Sequence, residues 1–150
     1  MKQLIYPISI RASKEKVWNT MLSRDTYSKW TAASWPGSFY EGNWQEGEKI
    51  RFIAANGSGT LVLITQLQPY EYIAAEHIAI LLPGGIEDKS SKSAKEWIGT
   101  KENYRFTETG DAVLLQVEII INPVWEQVFN DGWPNALLSL KNICEGNDKN

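Results

Sequence analysis

The feature that most constrains this chain is a change of punctuation near residue 122. From Trp35 to that point turn signals recur at short intervals: Pro36-Gly37, Glu46-Gly47, Asn56-Gly57, Pro69, Pro83-Gly84-Gly85 and Thr109-Gly110-Asp111. Between them lie runs rich in β-branched and aromatic residues, at 50–55, 60–67, 72–81, 97–107 and 113–121. The last alternates most cleanly, with Val113, Leu115, Val117, Ile119 and Ile121 on one face and Gln116 and Glu118 on the other. Such short spacing predicts antiparallel hairpins. After residue 122 the turns stop. The closing stretch, NPVWEQVFNDGWPNALLSLKNICEG, puts Trp125, Phe129, Trp133, Ala136, Leu137, Leu140, Ile143 and Cys144 on one broad helical stripe. A helix with so wide an apolar face must lie against something, and the strands before it supply the surface.

The remaining elements fit that arrangement. Leu4, Tyr6, Ile8 and Ile10 alternate as a half-buried strand. Ser13 can cap a helix carrying Val17, Trp18, Met21 and Leu22, and Ser23 a second short one through Tyr27 and Trp30. Asn122 can cap the closing helix, with Pro123 in its first turn. Pro134 removes a backbone donor and crowds the Asn130 carbonyl, so a bend near Gly132 is expected. The predicted class is α+β. A curved antiparallel sheet of about six to seven strands wraps a long C-terminal helix, with two short helices after the first strand. A chain of 150 residues favours one domain, 1–150, which buries roughly 70% of its unfolded surface.

Charge and composition exclude several function classes. The net charge is −3 and the fifteen Lys and Arg are scattered, which argues against nucleic acid. The single cysteine, Cys144, excludes an internal disulfide and a Cys-rich metal site, and reads as a buried thiol. The start, MKQLIYPISI, lacks the apolar run of a signal peptide, and no stretch has the length of a membrane span. A soluble, cytoplasmic protein is expected, and the sequence leaves its oligomeric state open. The seven tryptophans stand out, because Trp is concentrated where a surface or pocket grips something.

Several local sequences resemble a known family: ASKEKVWNTM after the first strand, YSKW closing the second helix, EGNWQEGEKIRF, QPYEYIAAEHI, and GWPNALLSLKNICE in the final helix. Together they are similar to the START-like superfamily (SRPBCC, birch-pollen-allergen-like). The match is to its branch of heat-shock-protein ATPase activator homologues (AHSA-like). The resemblance spans essentially the whole chain. It implies the helix-grip fold, a curved sheet gripping the C-terminal helix with a cavity between them. None of these motifs is catalytic. Members of the superfamily include lipid carriers, hormone receptors, cyclases and co-chaperone domains, so the fold does not settle the function. The co-chaperone that names the branch has a separate N-terminal domain, which this chain is not expected to carry.

The first functional expectation is a binding module, holding a small, largely apolar molecule between sheet and helix without cofactor or metal. Its expected lining is Phe52, His77, Glu102, Tyr104, Trp125, Phe129 and Trp133, with Trp30, Trp44 and Trp97 at the rim. His77, the only histidine, shares a strand face with Ile73, Ala75, Ala79 and Leu81. If residues 82–96 form the long solvated loop of a symmetric hairpin, His77 falls opposite Glu102. That pair could anchor a ligand, transfer protons, or merely satisfy itself in the core. A second expectation is a co-chaperone-type module, binding a chaperone or other protein through an outer surface with Trp35, Phe39 and Trp44. A third is a hydrolase or cyclase using His77 and Glu102.

Overall fold

The computed structural model describes residues 1–146. The chain opens with strand β1 (Lys2–Ile10), then helices α1 (Lys14–Leu22) and α2 (Arg24–Thr31). The Ser13 side chain accepts from the Lys16 amide and starts α1. Seven strands follow: β2 (Phe39–Glu41), β3 (Lys49–Ile53), β4 (Gly59–Gln68), β5 (Tyr72–Leu82), β6 (Ile86–Asp88), β7 (Lys101–Thr109) and β8 (Ala112–Ile121). A third helix, α3 (Lys92–Trp97), interrupts them between β6 and β7. Asn122 caps a 3-10 turn at Pro123–Trp125, which leads into α4 (Glu126–Cys144).

All eight strands join one antiparallel sheet in the order β1-β8-β7-β5-β4-β3-β2, with β6 paired to the end of β5. The sheet curves around α4, and its inner side chains share one core with Phe129, Trp133, Ala136, Leu137 and Leu140 of that helix. The architecture is the α+β arrangement anticipated, with the three-residue strands β2 and β6 added to the longer ones. Such short strands carry too little alternation to be read from sequence.

Two local expectations need correction. Residues 82–96 are not one solvated loop. Leu82 pairs with Ile86 in a tight hairpin, and Ser91 then caps α3 by accepting from the Ala94 amide. Trp97 therefore ends a helix, and the next strand starts at Lys101. Second, the intervening elements shift the register. Ala75 lies opposite Glu102, while the His77 amide donates to the Thr100 carbonyl at 2.8 Å. α4 runs through Pro134 as one continuous helix. Gly132 serves a close approach: a Cβ there would stand 2.3 Å from Cζ2 of Trp35.

Candidate functional site: an aromatic cavity with one polar wall

Between the inner face of the sheet, α2 and the first half of α4 lies a cavity of ≈ 260 Å³ that opens to solvent at one end. Exposed Ala54 and Val128 mark the opening. Its walls are mainly aromatic. Trp133 neighbours Trp30 (6.1 Å between ring centroids), Trp30 neighbours Tyr27 (5.4 Å), and Tyr27 stacks on Phe52 (5.9 Å). Phe52 neighbours Trp44 (5.8 Å), Trp44 neighbours Tyr104 (6.5 Å), and Tyr104 returns to Trp133 (6.2 Å). These six side chains form a closed circuit on the cavity wall. They come from α2, the segment after β2, β3, β7 and α4, so the circuit ties helices to sheet. Aromatic rings have few rotatable bonds and make stiff apolar walls.

Backbone-directed bonds set several of the rings. Trp30 Nε1 donates to the Met21 carbonyl at 3.1 Å, and the Tyr40 hydroxyl, behind the circuit, donates to the Leu22 carbonyl. Trp35 packs edge-on against Trp133 at 5.6 Å, in the space that Gly132 leaves. At the far end Trp97 stacks on Phe129 at 5.8 Å, with 12° between the ring planes, and meets His77 at 4.7 Å.

One wall is polar. Trp97 Nε1 donates to Thr60 Oγ1 at 2.8 Å. Thr60 Oγ1 lies 2.8 Å from His77 Nδ1 and 3.2 Å from the Ala79 carbonyl. His77 Nε2 lies 3.2 Å from Glu102 Oε1, and the Tyr104 hydroxyl donates to Glu102 Oε2. His77 and Glu102 meet along the diagonal of the β5–β7 pair, not as directly opposed residues, because both side chains share the inner face two positions out of step. A register shift in β4 between Leu61 and Val62 accompanies Thr60 on this wall. Burial, followed by the charge of Glu102 and the hydrogen bond to it, pushes the Tyr104 phenol well above its ordinary pKa. Tyr27 is raised as well, again mainly by burial and then by Glu102. Both therefore stay protonated.

Six of the seven expected lining residues stand on this wall: Phe52, His77, Glu102, Tyr104, Phe129 and Trp133. The seventh, Trp125, lies behind Trp97 (5.3 Å) and supports it. Trp30, Trp44 and Trp97, expected at the rim, belong to the walls. Of the expected outer surface, Trp44 faces inward and Trp35 is half-buried on α4, leaving Phe39 exposed. Sequence reasoning missed Tyr27, Trp35 and Thr60 as wall residues. A polar Thr beside the apolar run LVLI was the one signal for Thr60.

Comparison with known proteins agrees with this geometry. Residues 11–145 match the family model described as Activator of Hsp90 ATPase homolog 1-like protein. The chain belongs to that family. No curated protein matches it. Among solved structures, the family member is similar to the Aha1 dimer from Colwellia psychrerythraea, at 22% identity and TM-score 0.74 over 97% of each chain. It is also similar to protein MLL2253 from Mesorhizobium loti, at 12% identity and TM-score 0.76, covering 98% of this chain and 99% of that one. CalU16 from Micromonospora echinospora follows at 18% identity and TM-score 0.66, covering 98% and 76%. Likenesses this remote establish the fold. Family and fold together support a ligand-binding or co-chaperone-like domain. No helix among the described residues is long and apolar enough to cross a membrane.

Proposed function

We propose that this protein is a binding module that holds a small, largely apolar molecule in the cavity between sheet and α4. The observation that carries the reading is the cavity itself: ≈ 260 Å³, open at one end, aromatic on most sides and polar on one. An apolar cavity of about 150 Å³ accepts one benzene ring, so this one suits a molecule of one or two rings and is short for a long acyl chain. Phe52, Tyr104, Phe129 and Trp133 supply apolar contact, His77 and Glu102 hold the polar end, and Trp125 backs the wall through Trp97. Cavities of this composition orient a guest by a few placed polar groups and bind it by apolar burial.

The test is native mass spectrometry on protein taken directly from its host, joined to a titration of tryptophan fluorescence with a small neutral arene. Five of the seven tryptophans line the cavity, so an occupant must change the emission. A retained mass and saturable quenching are expected. Unchanged emission at saturating arene refutes the reading. The co-chaperone-type alternative rests on the family match and predicts partner contact through an outer surface, with no effect of cavity substitutions such as Trp133→Ala. The open cavity favours the first reading.

A further inference from the structure

Formal charge on the cavity wall is one-sided. Glu102 is the one acidic side chain among its lining residues, and none of them is Lys or Arg. A buried carboxylate ordinarily stands beside a cation. Here its hydrogen-bond donors are the Tyr104 phenol and His77 Nε2. The Thr60 hydroxyl is closer to His77 Nδ1, at 2.8 Å, than to the Ala79 carbonyl, at 3.2 Å. The Thr60 hydroxyl accepts from Trp97 Nε1 and donates to the Ala79 carbonyl, so this wall's polar groups are held in one network.

The wall keeps hydrogen-bonding capacity for a guest at Glu102. A carboxylate offers about four acceptor positions, and Glu102 fills two of them from His77 and Tyr104. The Trp97 indole, the Thr60 hydroxyl and the Tyr104 phenol spend their protons on neighbouring groups, while the buried Trp44 indole N–H on the circuit has no partner among the described residues. The Tyr27 hydroxyl takes part in no hydrogen bond among the described residues and lies within the field of Glu102. Around this charge runs the circuit Trp133–Trp30–Tyr27–Phe52–Trp44–Tyr104. The faces of aromatic rings carry negative potential and attract cations, Trp most strongly.

Building on the binding-module reading, we propose that the guest is a small organic cation: an amine of one or two rings, its ammonium on Glu102 and its apolar body within the aromatic circuit. Fatty acids and other carboxylates are disfavoured, since they would set a second carboxylate beside Glu102 on a wall that carries no Lys or Arg. The site thus selects by charge as well as by size.

Three probes of matched shape separate the possibilities: 2-phenylethylamine, neutral 2-phenylethanol and 3-phenylpropionate, each titrated calorimetrically at neutral pH and moderate salt. The amine should bind at least tenfold more tightly than the alcohol, and the carboxylate more weakly than either. Glu102→Gln should remove the amine's advantage while the alcohol still binds. If that variant does not fold, the ranking on the wild-type protein decides alone. An alcohol that binds as well as the amine overturns the cation proposal and leaves the binding-module reading standing. A carboxylate that binds best overturns it too, and places a positive charge on His77. If none of the three binds at millimolar concentration, the cavity is not a site for such molecules and both proposals fall.

Discussion

Gly132→Ala sets two effects of known size against each other. Gly132 lies inside α4 with helical geometry, so alanine should strengthen the helix by about 1 kcal/mol. Its new Cβ, however, would stand 2.3 Å from Cζ2, 2.8 Å from Cε2 and 3.0 Å from Nε1 of Trp35. Carbon atoms pack best at about 3.5–4.0 Å, so the indole must retreat by more than ~1 Å. It is not free to do so cheaply, because it packs on Trp133 and follows Ser34, whose Oγ donates to the Gly132 carbonyl at 2.5 Å. Overpacking of this kind costs roughly 1–3 kcal/mol. The net expectation is a loss of about 0–2 kcal/mol, the difference between the overpacking cost and the propensity gain. Urea denaturation followed by circular dichroism measures it. The decisive arm is the double mutant: on a Trp35→Ala background the obstruction is gone, and Gly132→Ala should stabilise by about 0.5–1 kcal/mol. The two sites should therefore couple by roughly 1–3 kcal/mol. If Gly132→Ala stabilises the wild-type background as much as the Trp35→Ala background, Trp35 does not pack on that helical face.

Other substitutions and conditions test the polar wall and the core. His77→Ala leaves buried Glu102 without one donor and should cost about 1–3 kcal/mol for that carboxylate alone; an unchanged urea midpoint would show that the pair adds nothing. Tyr104 and Tyr27 have folded-state pKa values raised above the unfolded phenol near 10, so their contribution is complete below about pH 10 and is lost as pH rises further. Urea midpoints measured from pH 8 to 11 should fall at the alkaline end, and less steeply in Tyr104→Phe; equal slopes would refute the assignment. Cys144 is buried and its thiol pKa is raised, mainly by burial, so a thiol reagent near neutral pH should label it only as the protein unfolds. Rapid labelling of the folded chain would contradict that burial.

What could be read from sequence was local. The alternation from Val113 to Ile121 and the cap at Ser13 depend on neighbours along the chain, and both appear where expected. The stripe on α4 named Phe129 and Trp133 because helical periodicity marks the inward face. Non-local geometry was less legible. That Gly132 makes room for a ring contributed by a distant segment could not be read from the residues around it. His77 and Glu102 could be assigned to a shared face, but their register depended on β6 and α3 lying between them. Tyr27 and Thr60 carried no periodic mark of a site. Their place on the wall follows from how α2 crosses the sheet and from the irregular register of β4.

The cavity also poses an energetic question whose answer bears on function. If a void of ≈ 260 Å³ were dry, at roughly 24 cal/mol per Å³ it would cost on the order of 6 kcal/mol relative to a filled core. That is comparable with the whole stability of many domains. Small shifts of flexible aliphatic side chains would close such a space. This chain surrounds it with rings that cannot easily collapse, holding Trp30 by its indole nitrogen and bracing Trp133 with Trp35. The opening admits water, which lowers the cost, but most of the wall offers water few partners. Displacing weakly held water with an apolar body should therefore be favourable. A ligand that binds only the folded state at a hundred times its Kd adds about 2.7 kcal/mol of stability, roughly 5–10 °C in Tm at this chain length. A thermal shift of that size, present with the occupant and absent in a variant blocked at the opening by Ala54→Trp, would tie the preserved space to binding; equal shifts in both proteins would place the ligand elsewhere.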